Sequence, residues 1–429
     1  MKIVLIMPRA KLYQKGRGFR KNLRYAPLTL TTLAGLVLKE LKAEIRVIDE
    51  GVELADYSTI KADLVGITCI TGTSSRAYEL ADYFRSKSIS VVLGGPHPTL
   101  MPKEAIKHAD SVAIGIANRI WPQMLIDFKN NKLKKFYKDE CINLQGLPLP
   151  RRDLLKKSGY ISINTVQAVY GCPYKCEFCV TQIIGRGYHH RPIPEVINEI
   201  KKLKSKLIFF LDPSPMEDKE YAKELYRQMI PLKKKWMGLS TTRIYDDEEL
   251  FDLIAKSGCI GLLIGFESVS QKSLTKMNKN FNTAEKYKDF IKKLHKKGIA
   301  VQACFVFGSD EEDKTIFKDT VDFIIETGLD LPRFTVSTPF PGTPLYQRLK
   351  NENRILTEDW SKYNAQNVVF KPKNMSVKEL QDGLEWAWKE TYKTKNIIKR
   401  LAISKTRLWV TIISNIGYKM YAHDLHKYK

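Results

Sequence analysis

At 429 residues the chain is too long for one ordinary hydrophobic core, so two or three domains are expected. Hydrophobic residues make up 43%, enough for a core in each, yet no stretch offers the roughly 18 uninterrupted apolar residues of a transmembrane helix. Lys and Arg number 71 against 47 Asp and Glu; the resulting +24 permits nucleic acid, anionic lipid or phosphorylated partners without naming one, and a merely lysine-rich composition explains it equally.

The N-terminus MKIVLIMPRAK reads as a short strand rather than a signal peptide, from which a cytoplasmic location follows. Up to about residue 140, short apolar runs at 3–7, 45–49, 64–70, 91–95 and 111–115 alternate with the helical patterns LTLTTLAGLVLKEL and SSRAYELADYFRSK. That alternation predicts an α/β, Rossmann-like domain over 1–140 whose ligand sits outside the carboxyl ends of a parallel sheet. The proline-punctuated LQGLPLPRRDLL marks 141–165 as a linker. A second βα series follows over 166–345, with strands expected at 162–170, 207–212, 237–242, 260–267, 301–308 and 333–340. Six strands predict a partial (β/α)6 barrel of TIM type, with its chemistry at the strands' carboxyl ends. From 346 to 429 the pattern is helical. The last 39 residues, 391–429, hold nine Lys/Arg and one Asp, and within them LWVTIISNIGY (408–418) is uncharged. This segment is either an amphipathic helix on a membrane or under a lipid substrate, or a helix packed on the barrel.

Seven cysteines with one tight cluster speak for metal or thiol chemistry and not for a disulfide framework. The cluster is GCPYKCEFC (171–179), which sets Cys172, Cys176 and Cys179 in CxxxCxxC spacing after a predicted strand. Three thiolates on a cuboidal iron–sulfur cluster leave one iron open to an outside ligand. The competing reading is a zinc site completed by His189 or His190, as in a basic zinc-dependent nucleic-acid-binding protein.

This motif resembles the defining motif of the radical S-adenosylmethionine (radical SAM) superfamily. The resemblance implies a 4Fe-4S cluster whose open iron chelates the methionine end of SAM. One electron from it cleaves the sulfonium, giving a 5′-deoxyadenosyl radical that abstracts hydrogen from an unactivated carbon. GRGYHHRPIPEVINEI looks like the turn into the first barrel helix of these enzymes. The resemblance places Phe178 against the adenine and Asp212, in FFLDPSP, where many relatives carry a GGE-like motif meeting the SAM amino group. STTR ends the third strand with Ser240 and with Arg243, whose guanidinium matches the SAM carboxylate bidentately; a surface arginine is the alternative. IGLLIGFES resembles the family's GxIxGxxE, supplying Gly265 and Glu267, although the acid arrives one residue early. TPFPGTPLY (338–346) looks like the exit from the sixth strand.

The domain order resembles the cobalamin-binding radical SAM enzymes over essentially the whole chain. LGGPHP supplies Gly94, Gly95 and His97, and ITCI supplies Thr68, as the implied cobalamin contacts. Two features depart from the family: no DxHxxG motif is present, so the cobalt would take no imidazole from it, and GIAN (115–118) replaces the usual GEaE. The expected activity is cobalamin-dependent methylation of an unactivated carbon, one SAM methylating cobalt and a second giving the radical. The alternative is a cyclase, oxidase or carbon–carbon bond-forming enzyme on a lipid-like or tetrapyrrole-like substrate. A tRNA methylthiotransferase would carry three further cysteines in its N-terminal domain, where only Cys69 stands before residue 140. No specific nucleic acid is therefore expected. The expected partners are a small-molecule or lipid-like substrate, an electron donor such as ferredoxin or flavodoxin, and a membrane surface met peripherally by the basic tail.

Overall fold

A computed structural model describes residues 1–10, 25–139 and 141–425. They form two compact units, one of residues 1–165 with 183–195 and 359–364, the other of 166–182 with 196–358 and 365–429.

The first unit is built on strands β1 (Lys2–Met7), β2 (Glu44–Asp49), β3 (Leu64–Thr68), β4 (Ser90–Gly94), β5 (Ser111–Ile114) and β6 (Phe136–Lys138), parallel in the order β2-β1-β3-β4-β5-β6. Successive residues of β1 go to opposite faces, and both faces are covered. Val4 and Ile6 join Ala77, Ala81 and Phe84 of the helix Ser74–Ser86. Ile3 and Leu5 join Trp121, Met124 and Leu125 of the helix Ile120–Lys129. This is why the strands read as unbroken apolar runs, and the order is that of a doubly wound sheet. Gly66 in β3 is required by packing: a Cβ there would lie 2.9 Å from Leu5 Cδ2 and 3.4 Å from the Trp121 ring.

Two differences from the sequence reading have local causes. The single helix expected over 28–41 stops as Leu28–Gly35 and resumes as a 3₁₀ turn at Lys39–Leu41. Leu149 crosses at Gly35, its carbonyl oxygen 2.9 Å from where a Cβ would be. Phe136–Lys138 adds a sixth strand that its lysine-rich surroundings concealed. Residues 141–165 lie along this unit, with Leu155 in its core and Arg151 N–H donating to Thr31 O at 2.9 Å.

Further along the chain come β7 (Thr165–Val166), β8 (Val169–Gly171), β9 (Tyr188–His190), β10 (Leu207–Phe210), β11 (Lys235–Ser240), β12 (Cys259–Glu267), β13 (Ala300–Phe307) and β14 (Arg333–Val336). The second unit's sheet runs β7-β10-β11-β12-β13-β14 and is parallel from β10 onward. Amphipathic helices connect the strands. Lys219–Met229 is capped by Asp218 and Glu248–Lys256 by Asp247, each side chain accepting at 3.0 Å from a backbone N–H three residues on. Phe266, Phe305 and Phe334 pack ring on ring across β12, β13 and β14 with centroids 6.0 and 6.1 Å apart.

The strand expected over 162–170 is interrupted at Gln167–Ala168. The buried Asp212 carboxylate takes the N–H groups of Ala168 and Val169 in place of a ladder partner. The sixth strand ends at Val336, because the prolines of TPFPGTP cannot supply ladder donors. Thr343 then caps the helix Pro344–Asn351. Helices Val377–Thr391, Thr394–Ser404 and Leu408–Asp424 follow. Among the described residues no helix is long and apolar enough to cross a membrane.

Candidate active site

Gly171, at φ +86°, turns the chain out of β8 into the cysteine loop. The loop is tied down by backbone: Glu177 N–H to Met277 O at 3.1 Å, Leu345 N–H to Glu177 O at 3.0 Å, and Cys179 N–H to Cys176 O at 3.1 Å. Asn278 Nδ2 donates to Lys175 O at 2.7 Å, and Tyr174 stacks on Phe281 with centroids 3.9 Å apart. Glu177 is held by Arg348 at 3.0 Å, which also pairs with Asp310 at 2.5 Å. Cys176 is buried and Cys172 and Cys179 are half-buried. Burial pushes the Cys172 thiol up and the Cys176 thiol to about 12, with the neighbouring cysteine charges adding to both. Lys279 opposes that rise at Cys176 and feels the charge of Cys179 as well. Among the described residues no three or more His, Cys, Asp or Glu stand ready to hold a metal ion. Cys172 and Cys176, which both feel the charge of Cys179, together with the Lys279 ammonium nevertheless fit a cluster of net negative charge. His189 does not complete a zinc site through Nε2, which lies 3.2 Å from Gly185 O and 3.3 Å from Arg186 O.

The best-defined neighbour of the loop is the end of β12. Register against β13 slips between Gly265 and Glu267, leaving Phe266 as the extra residue of a bulge, and Glu267 takes φ +67°. Its carboxylate meets Lys279 Nζ at 2.5 Å, both side chains about nine-tenths buried. A Cβ on Gly265 would lie 2.3 Å from Glu267 Oε1 and 2.9 Å from Lys279 Nζ, so this glycine makes room for the pair. The wholly buried Asn282 fixes the bulge, its Nδ2 donating at 3.0 Å to the carbonyls of Gly265 and Phe266 while its Oδ1 accepts from Thr242 at 2.7 Å. Ser240 is buried, with Oγ 3.0 Å from Thr241 O and 3.5 Å from Met216 Sδ. Phe178 is half-buried and Arg243 exposed.

Asp212 has no exposed surface, and its Oδ1 accepts from two backbone N–H groups, bracing the break between β7 and β8. The carboxylate that does join the strand ends to the cysteine loop is Glu217. It accepts from Ser214 Oγ at 3.0 Å, from Thr241 Oγ1 at 2.7 Å and from the Tyr174 hydroxyl. Sequence reasoning missed Glu217, Lys279 and Asn282, since PMEDKE and KMNKNFN look like ordinary polar loops.

In the first unit, Thr68, Gly94 and Gly95 meet at the ends of β3 and β4. Gly95 has φ +95°, and a Cβ would lie 2.5 Å from Thr68 Oγ1, so close packing of the two strand ends already demands glycine there. His97 needs correction as a cobalamin contact. It is wholly buried, its Nδ1 3.2 Å from Thr71 Oγ1, its Nε2 3.2 Å from Glu104 Oε1, and its ring edge-on to Trp360 at 5.6 Å. Burial works against a charge on Glu104, but hydrogen bonds from His97, Trp360 and Tyr78 hold it below the usual carboxylate range. The sheet end nevertheless suits a broad, partly apolar ligand. Ile70 beyond β3 is 57% exposed, and a Cβ at Gly115 beyond β5 would meet nothing nearer than 4.0 Å.

The family model described as the Radical SAM superfamily matches residues 166–324, and one described as a domain of unknown function, DUF4070, matches 343–409. Bacteriochlorophyllide d C-12(1)-methyltransferase of Chlorobaculum tepidum is 31% identical over 366 residues, covering 82% of this chain and 79% of that one. Bacteriochlorophyllide d C-8(2)-methyltransferase of the same organism is 30% identical over 380 residues, covering 83% of each. The fold is similar to that of the cobalamin-dependent S-adenosylmethionine radical enzyme OxsB, with a TM-score of 0.71 at 14% identity over 97% of this chain and 72% of that one. A loop of three thiols opening a parallel βα series, matched at this identity over this share of both chains, places the protein in the radical SAM superfamily, in the family of the bacteriochlorophyllide methyltransferases.

Proposed function

We propose that this chain is a cobalamin-dependent radical SAM methyltransferase that methylates an unactivated carbon of a tetrapyrrole-like or lipid-like substrate. The observation that carries the reading is the buried Glu267–Lys279 pair at the bulged end of β12, within electrostatic reach of the cysteine loop. When bound, the cluster supplies the electron that cleaves SAM, and cobalamin carries the methyl group. Cys172, Cys176 and Cys179 hold the cluster. Phe178 backs the adenine, Gly265 and Glu267 with Ser240 receive the polar groups of SAM, and the exposed Arg243 meets its carboxylate. Thr68, Gly94 and Gly95 line the cobalamin side in a Rossmann-like domain over 1–140, joined by the 141–165 linker to a partial barrel over 166–345 and a helical region over 346–429. His97 and Asp212 stand behind these surfaces as braces. A tetrapyrrole-like substrate is supported by the relatives whose names specify bacteriochlorophyllide d. Electrons come from a ferredoxin or flavodoxin in the cytoplasm.

The test is anaerobic reconstitution with iron, sulfide, cobalamin, SAM and a reductant. The expected product is 5′-deoxyadenosine, abolished by Cys172→Ala, Cys176→Ala or Cys179→Ala and unaffected by Cys141→Ala. An intact cluster that yields no 5′-deoxyadenosine overturns the radical assignment. Once a substrate turns over, label from the SAM methyl group appears in product; unlabelled product assigns the chain to cyclisation or oxidation instead.

A further inference from the structure

The C-terminal helices turn polar groups inward and much of their apolar surface outward. In Leu408–Asp424 Thr411 and Asn415 are buried together with Gly417 and Ala422, Tyr418 and Tyr421 lie against the Trp388 ring at 5.9 and 4.8 Å, and Asn415 Nδ2 donates to Asp330 O at 3.0 Å. Tyr418 accepts on its hydroxyl from Gln302 Nε2 at 2.7 Å. In Thr394–Ser404 the inward residues include Asn396, Ser404 and Arg400. Arg400 is wholly buried, giving NH1 to the carbonyls of Leu329 and Asp330 at 2.7 and 2.8 Å and NH2 to Asn415 Oδ1 at 2.8 Å. These bonds lock both helices in rotation, so the orientation is specified and is not a loosely docked end. The outward face is apolar. Trp409 is 83% exposed, Ile398 63%, Ile413 57%, Val410 53%, Ile416 51% and Met420 51%. Of 19 large hydrophobics exposed among the described residues, nine fall between Ile398 and Met420. A patch of this kind on a water-soluble surface marks something that covers it.

The charge around the patch says what. Between 391 and 423 there is no Asp or Glu, and Lys395, Lys399, Lys405, Arg407 and Lys419 are all exposed; Lys393 is exposed too but pairs with Glu390 at 2.5 Å. We propose that this face, the helices Thr394–Ser404 and Leu408–Asp424, docks on an anionic lipid bilayer, lying in the headgroup region with its apolar side chains inserted and its cations on the phosphates. Seventeen residues make a helix about 26 Å long, suited to lying in the interface, with the amphipathic Trp409 ring where such rings settle. A second copy of the chain is the wrong occupant, since an isologous contact would set one cationic rim against another. The inference goes beyond the proposed chemistry and does not depend on it.

The full-length holoenzyme should pellet with vesicles of phosphatidylcholine and phosphatidylglycerol. On phosphatidylcholine alone, or at high salt, binding falls by about tenfold or more. Trp409→Glu and Ile413→Glu, both on the exposed face, should lose vesicle binding by at least about tenfold while keeping the wild-type melting temperature. Wild-type protein left in the supernatant with anionic vesicles overturns the proposal, as do folded variants that bind undiminished. Analytical ultracentrifugation tests the rival: a wild-type dimer that Trp409→Glu converts to monomer assigns the face to a second copy. Pelleting is read without turnover, so a failure of methyl transfer leaves this result standing.

Discussion

Glu312 illustrates how one buried side chain sets a pH dependence. It sits at the carboxyl end of β13, where Oε2 accepts from the N–H groups of Gly308 at 2.9 Å and Ser309 at 3.2 Å and Oε1 from Ser268 Oγ at 3.0 Å. Burial outweighs those bonds and raises its pKa from 4.5 to about 7. Between those values the folded chain keeps a proton that the unfolded chain has released. The stabilisation is fully present below 4.5 and is lost as pH rises through about 7, a change of about 3 kcal/mol across the window. Glu312→Gln preserves the carbonyl acceptor and can donate to Ser268, but it does not titrate. Denaturant unfolding from pH 4 to pH 8 should therefore show a falling stability in wild type that the variant lacks; parallel curves would refute the assignment. Gly265 and Gly95 make the complementary point. Both belong to sequence stretches read as ligand cradles, and in both the nearest constraint is internal, Glu267 in one case and Thr68 in the other.

At the scale of elements, the break between β7 and β8 and the bulge in β12 are each braced by a buried polar side chain, Asp212 and Asn282, with Tyr221 and Tyr287 hydroxyls adding a bond to Ala168 O and Phe266 O. Each satisfies backbone groups that the irregularity removes from the ladder, a role with a cost of about 1–3 kcal/mol for each group left unpaired. Asp212→Asn keeps an acceptor for Ala168 and Val169. It should leave SAM affinity unchanged and the melting temperature lowered only slightly, whereas Asp212→Ala should destabilise strongly. A weakened SAM affinity in a fully stable Asp212→Asn protein would restore the ligand role expected from its place in the strand. The bulge also bears on the early acid of IGLLIGFES. Inserting Phe266 and turning Glu267 to φ +67° redirects the carboxylate onto Lys279, so spacing along the strand alone does not say where it points.

For the whole molecule, the cluster cysteines and the candidate cobalamin surface fall in different compact units. Under the proposed function, the cysteines of one unit load iron and the strand ends of the other load cobalamin, and the two loadings are expected to be independent. Iron and cobalamin quantified in the Cys176→Ala protein should show iron lost and cobalamin retained at the wild-type ratio. Concerted loss of both would mean that the units do not hold their cofactors separately. The basic excess of the chain also gains a partial address, since five exposed cations, Lys395, Lys399, Lys405, Arg407 and Lys419, lie on and between the two C-terminal helices.

The parallel sheets, the cysteine loop and the family were legible in the sequence because each is local. Strands buried on both faces read as apolar runs, and three thiols within eight residues state their chemistry by spacing. Gly265 and Glu267 could be read together for the same reason, lying on one strand. Lys279, Asn282 and Glu217 were not, because they reach their partners across loops of ordinary polar composition. The inward orientation of His97 was not legible, since which way a polar side chain faces depends on whether distant residues supply its hydrogen bonds. Thr71, Glu104 and Trp360 surround His97, the last of them 263 positions along the chain, and only the folded chain brings them together. The C-terminal helices show the same division: composition alone leaves open whether 408–418 faces the core or the outside. The buried hydrogen bonds of Arg400 and Asn415 decide it, because polar groups taken inside must be paired, and pairing these turns the apolar face out.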